Sequence, residues 1–125
     1  VKKILIVDDD KNFIDTLKDN FKMKEVDADV RVADTAKKAI EILKKEIPSI
    51  IILDVQLPDM NGMEVLKIIK ASKRLKHVPV ILISAKYTEP SDRAEAMFKG
   101  AATFFSKPVN VDDIWDEIEY LLNIK

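Results

Sequence analysis

Three consecutive carboxylates, Asp8-Asp9-Asp10, follow the apolar run Ile4-Leu5-Ile6-Val7. Another, Asp54, closes Ile50-Ile51-Ile52-Leu53. Ser84 closes Val80-Ile81-Leu82-Ile83, and Lys107-Pro108 follows Phe104-Phe105-Ser106. Carboxylates crowded together raise one another's pKa unless a cation compensates. An oxygen-only ligand set with no Cys or His beside it suits Mg²⁺. Lys107 would bring a compact positive charge to a phosphoryl oxygen, and Ser84 a hydroxyl donor. A carboxylate can act as a nucleophile and form an acyl phosphate, with metal and lysine stabilising the charge on the transferring group. Taken singly these signals are weak, because an Asp-Asp pair more often caps a helix and a Lys-Pro pair more often makes a turn. Their weight lies in the combination.

The elements needed to assemble that combination are legible in the apolar pattern. The three continuous runs suit strands of a parallel sheet covered on both faces. Ala28, Val30 and Val32 alternate with polar neighbours and read as a strand with one wetter face, and Ala102 to Ser106 makes a fifth. Between them the period changes to that of helices. Phe13, Ile14, Leu17 and Phe21 form one stripe; Ala36, Ala39, Ile40, Leu43 and Ile47 form a second, ending before Pro48. Asn61, with Glu64 three residues on, predicts a capping box for a third helix that buries Val65, Leu66 and Ile69. A fourth runs from about Ser91 to Lys99 and stops at Gly100. Asn110 precedes the fifth, whose inward positions are Ile114, Ile118, Leu121 and Leu122. The order is (βα) repeated five times, and right-handed crossovers make it an open parallel sheet with helices on both faces. Ligands of such sheets bind beyond the carboxyl ends of the strands, where the aspartates, Ser84 and Lys107 all fall.

The 125 residues fit one domain, 47% hydrophobic and 34% charged, a globular balance. With 21 basic and 22 acidic residues the net charge is −1, so no overall field drives the chain toward nucleic acid or an anionic membrane. The absence of Cys excludes disulfides and thiolate metal sites. No apolar run reaches bilayer length and the first residues form no signal-peptide pattern, which places the protein in the cytoplasm as an expectation.

Four segments together, Ile4 to Asp10, Leu53-Asp54-Val55-Gln56-Leu57-Pro58-Asp59-Met60-Asn61-Gly62, Ile83-Ser84-Ala85 and Phe105-Ser106-Lys107-Pro108, resemble the receiver domains of bacterial response regulators, over essentially the whole chain. The resemblance implies the flavodoxin-like strand order 2-1-3-4-5. It implies that Asp54 is the phosphoacceptor, taking a phosphoryl group from a phosphohistidine on a sensor histidine kinase or a histidine phosphotransfer protein, or from acetyl phosphate. Mg²⁺ would be held by Asp9 directly, by Asp8 largely through water, by Asp54 and by the backbone carbonyl of Gln56. Ser84 would turn toward the phosphoryl group, and Lys107 would contact it. Pro58 and Gly62 match the loop leaving Asp54. The family is a two-state switch, not a conventional enzyme, and promotes its own Mg²⁺-dependent phosphorylation and dephosphorylation. Its output passes to an effector domain or output protein through the face around helix four, strand five and helix five, with no direct binding of nucleic acid or membrane.

Phe104 occupies the switch position where Tyr or His is frequent in the family; it either couples to Ser84 or is ordinary core. Gln56 and Lys86, two residues beyond Asp54 and Ser84, either tune the lifetime of the aspartyl phosphate or are plain surface. Asp10 either caps helix one or joins the metal set, and Asp59 reads as a loop carboxylate. Lys67, Lys70, Lys73, Arg74 and Lys76 read as a solvated face, His77 as an exposed loop residue and Trp115 as partial packing. Tyr87-Thr88-Glu89-Pro90 reads as a mobile loop.

Three other functions compete. A metal-dependent phosphohydrolase would want a second acid two residues after the nucleophile, where Gln56 stands. A receiver-like module that never uses phosphate would be expected to lose acids or the lysine. Nucleotide or flavin binding would need a Gly-rich phosphate loop, and the chain has two Gly in total.

Overall fold

The computed structural model describes residues 2–24, 27–86 and 89–123. Strands β1 (Lys2–Val7), β2 (Ala28–Ala33), β3 (Ile50–Asp54), β4 (Val80–Ser84) and β5 (Thr103–Ser106) alternate with helices α1 (Lys11–Met23), α2 (Ala36–Lys45), α3 (Gly62–Ala71), α4 (Pro90–Phe98) and α5 (Val111–Leu122). The strands form one parallel sheet in the order β2-β1-β3-β4-β5.

Because side chains alternate across a strand, each continuous apolar run feeds two cores. Leu5, Val7, Ile51, Leu53, Val80 and Leu82 face α2, α3 and α4. Ile4, Ile6, Ile50, Ile52, Ile81 and Ile83 face α1 and α5. This is why the central strands show no polar alternation.

The helix stripes hold with local corrections. Ile14, Leu17 and Phe21 are buried on α1, and Ala36, Ala39 and Leu43 on α2. Ile47 lies beyond the end of α2 and is 50% exposed, because the helix stops at Lys45, ahead of Pro48. Trp115 is fully buried against Phe21, with ring centroids 5.4 Å apart, while Leu121 and Leu122 are only half-buried. Asn61 does cap α3, through the Met63 N–H. At α4 the side chain at the third helical position reaches back instead: Asp92 Oδ2 accepts from the Glu89 N–H at 3.1 Å. That helix runs one residue earlier at each end than the sequence suggests, starting at Pro90, where a proline lacks only an N–H that a helix start leaves unpaired.

Candidate functional site

The sheet register fixes the site before any side chain is placed. Val7 pairs with Leu53, and Asp54 with Ile83, so the chain leaving β1 and the end of β3 come out on one edge of the sheet. Ser84 pairs with Ser106, and the Lys107 N–H donates to the Ser84 carbonyl at 2.8 Å, which brings the lysine to the same edge. The Lys107–Pro108 peptide is cis.

Asp8 and Asp54 are buried, and Asp9 is exposed. Carboxylate oxygens of the three lie within 4.8 Å of one another, an all-oxygen donor set that could hold a metal ion. Such a set, with no nitrogen or sulfur ligand in it, fits a hard divalent cation such as Mg²⁺. Lys107 Nζ stands between the two buried carboxylates, 3.0 Å from Asp8 Oδ2 and 3.0 Å from Asp54 Oδ2. The ammonium also sits 4.6 Å from the centre of the Phe13 ring, within cation–π range.

Burial pushes the Asp8 carboxyl up to about 6; the Asp54 charge adds to the rise, against the Asp10 N–H and Lys107, which lower it. Burial alone would lower the Lys107 ammonium, but hydrogen bonds to Asp8 and Asp54 outweigh it and raise its pKa. Asp10 Oδ1 caps α1 through the Phe13 N–H, while its own N–H donates to Asp8 Oδ1 at 2.8 Å.

The loop after β3 closes the site from the other side. The Gln56 N–H donates to Asp54 Oδ1 at 2.9 Å. The Gln56 side chain crosses to the end of β4, where Nε2 donates to Ser84 Oγ at 3.1 Å and Oε1 accepts from the Ala85 N–H at 3.2 Å. The Lys86 N–H also donates to Ser84 Oγ, at 3.2 Å, and the Lys86 side chain is exposed. Gly62 lies so close behind the loop that an added Cβ would stand 2.2 Å from the Asp54 carbonyl oxygen and 2.8 Å from Val55 Cα. The residue must therefore be glycine, whatever its φ.

The structure thus brings Asp8, Asp9, Asp54 and Lys107 into one cluster and joins Ser84, Gln56 and Lys86 beside it. Phe104 stands apart. It is 3% exposed in the core under α4, with the Arg93 guanidinium 5.9 Å from its ring, beside a crevice of about 240 Å³ between α3 and α4. Tyr87 and Thr88, in the segment expected to be a mobile loop, lie outside the described residues. Three contributions were not read from sequence: Phe13 beneath Lys107, the Gln56 side chain across to β4, and Asp59. Asp59 is no idle loop carboxylate. It accepts from the Ala36 and Lys37 N–H groups at 2.8 and 3.0 Å, capping α2 from the neighbouring loop, and these bonds hold its pKa below the usual carboxylate value. Phe13 carried a signal, its place in the α1 stripe one turn beyond Asp9, but that pattern reads as core.

Among the described residues no helix is long and apolar enough to cross a membrane. The model of the response regulator receiver domain family matches residues 4–119. The chain is 35% identical over 124 residues to the sporulation initiation phosphotransferase F of Bacillus subtilis, covering 99% of this chain and 96% of that one. It is 40% identical over 84 residues to the regulatory protein LuxO of Vibrio vulnificus, 67% of this chain but 18% of that much longer one. The crystal structure of a CheY-like receiver domain protein from Methanospirillum hungatei superposes with a TM-score of 0.85 at 30% identity, over 98% of this chain and 94% of that one. Sheet order, carboxylate–lysine cluster and sequence relationship agree: the chain belongs to the response regulator receiver domains of two-component systems.

Proposed function

We propose that residues 1–125 form one receiver domain that works as a phosphorylation-dependent switch, accepting a phosphoryl group on Asp54. The observation that carries the reading is Lys107 Nζ held at 3.0 Å from both Asp8 and Asp54. A half-buried lysine pinned between two buried carboxylates is costly as a mere ion pair. It is useful where a third anionic group arrives.

Asp54 is the nucleophile. One of its oxygens attacks the phosphorus of a phosphohistidine on a histidine kinase or histidine phosphotransfer protein, the P–N bond breaks, and the imidazole leaves with the electron pair. The Gln56 N–H on Oδ1 and Lys107 on Oδ2 hold the carboxylate plane in place before the donor arrives. Lys107 then neutralises charge on the transferring oxygens. Asp8, Asp9 and Asp54, with the Gln56 carbonyl, would hold Mg²⁺, which supplies Lewis-acid stabilisation of the phosphoryl oxygens when bound. Ser84 and the Ala85 N–H, at the end of β4, are the donors placed to receive the phosphoryl group. Phe104, packed under α4, couples that event to the face of α4, β5 and α5, where an effector domain or output protein docks. Gln56 and Lys86 flank the route of the water that hydrolyses the acyl phosphate, so the domain promotes its own dephosphorylation as well as its phosphorylation.

Intact-protein mass after incubation with acetyl phosphate tests the proposal. The expected result is a gain of one phosphoryl group that requires Mg²⁺ and is absent in Asp54→Asn. A gain that persists in Asp54→Asn would show that the acceptor is a different residue.

A further inference from the structure

The Gln56 side chain occupies groups that a phosphoryl group on Asp54 would need. A backbone N–H can only donate, so the bond from Ala85 fixes Oε1 on that side of the carboxamide and turns Nε2 toward Ser84. Ser84 Oγ accepts from Gln56 Nε2 at 3.1 Å and from the Lys86 N–H at 3.2 Å, filling both lone pairs of the hydroxyl. The main chain of the same residue donates to Asp54 Oδ1. One residue therefore touches the acceptor carboxylate through its backbone and the β4 end through its side chain.

We infer that the Gln56 carboxamide is an uncharged placeholder for the phosphoryl oxygens: it latches Ser84 and Ala85 in the unphosphorylated protein and is displaced on phosphorylation. The inference rests on the receiver reading of Asp54. A phosphoryl group carries about −1.5 to −2 charges and three acceptor oxygens at neutral pH. Charge-assisted hydrogen bonds are roughly twice as strong as neutral ones, so the phosphoryl group wins the Ala85 N–H from Oε1 and draws the Ser84 hydroxyl, as a donor, away from Nε2. Until then the latch ties the loop after β3 to the loop after β4, and its release frees both. Gln56 is thus a positioning residue that sets the threshold of the switch.

Beryllofluoride, which adds to a carboxylate as a stand-in for a phosphoryl group, tests this. Its binding is measured by fluorine NMR in the presence of Mg²⁺ for the parent, Gln56→Ala and Gln56→Met, with amide hydrogen exchange at Ala85 followed in the same proteins without ligand. Methionine keeps the length of the side chain and removes its hydrogen bonds. The expected result is binding about tenfold tighter in both variants, equal to about 1.4 kcal/mol, with faster exchange at Ala85. Faster exchange with unchanged affinity would mean that the bond forms but does not compete, and the latch is wrong. A gain in Gln56→Ala alone would assign the effect to space and overturn it too. If the parent itself takes up no beryllofluoride, the receiver reading fails first and the latch goes with it.

Discussion

At the scale of single residues the site is a balance of buried charges. Asp8 and Asp54 are nearly inaccessible, and Lys107 is their shared counterion. Removing one partner of a buried pair leaves an uncompensated charge, at a typical cost of about 3–5 kcal/mol. Lys107→Met should therefore destabilise the metal-free protein by about 3 kcal/mol, the low end of that range, because protonation of Asp8 relieves part of the repulsion. The same variant should slow phosphorylation by acetyl phosphate by about 10²-fold, the scale of losing one preorganised donor to the transition state. Urea denaturation and the time course of mass gain read the two effects separately. The raised pKa of Asp8 has a signed consequence for pH. Its folded value of about 6 lies above the ordinary 3.8, so the protonated form favours the folded state. That contribution is full below pH 3.8 and is lost as pH rises through 6. Asp34, Asp59 and Asp112 act oppositely: their values are lowered, by Lys38, by the α2 N–H groups and by Asn20 with Lys24 respectively, so their contribution is lost as pH falls below 3.8. Metal-free Tm should be highest between these limits and fall toward neutrality. Mg²⁺ competes with the Asp8 proton, so its affinity should weaken as pH drops through 6 and its addition at pH 7 should raise Tm. A Tm that ignores Mg²⁺ at pH 7 would count against the carboxylate cluster as its site.

At the scale of elements, the strand ends deliver chemistry and the helix starts hold the loops that carry it. Thr35 caps α2 through the Lys38 N–H, and Asn110 caps α5 through the Asp112 N–H. Asn110→Ala should cost about 1 kcal/mol in chemical denaturation, the usual loss for such a cap. Gly62→Ala should cost more, about 3 kcal/mol at the top of the overpacking range. Its Cβ would meet backbone rather than a side chain able to turn away. Because the clash falls on the Asp54 carbonyl, that variant should also slow phosphorylation, whereas Asn110→Ala should not. The strands and the residues closing them were legible because a doubly covered parallel sheet writes continuous apolar runs and because the acids, Ser84 and Lys107 follow those runs directly; the strand order came only with the family resemblance. Cross-loop side-chain reach leaves no periodic trace. Gln56 on Ser84, Asp59 on α2 and Phe13 under Lys107 each join segments whose separation is set by the tertiary fold. Ile47 departs from the expected stripe for the converse reason: the helical period continues past Lys45, although the helix does not.

At the scale of the whole molecule, the two faces of the sheet divide the labour. The α1 and α5 face packs isoleucines against Phe21 and Trp115, and the face of α2, α3 and α4 contains Phe104. Leu66, fully buried on the latter face, should cost about 3 kcal/mol as Leu66→Ala, within the usual range for core truncation, with an unchanged denaturant slope. Phe98, 93% exposed, should change stability by less than about 0.5 kcal/mol as Phe98→Ser. The rigid sheet gives the carboxylate–lysine cluster its fixed geometry, and everything proposed for the switch depends on a covalent event at Asp54. Borohydride reduction after incubation with acetyl phosphate and Mg²⁺, followed by peptide mass mapping, tests that event directly. An acyl phosphate is reduced at its carbonyl, so homoserine is expected in place of Asp54 and nowhere else. Label retained at Ser84 as a reduction-resistant ester, or reduction at Asp8 or Asp9, would contradict it.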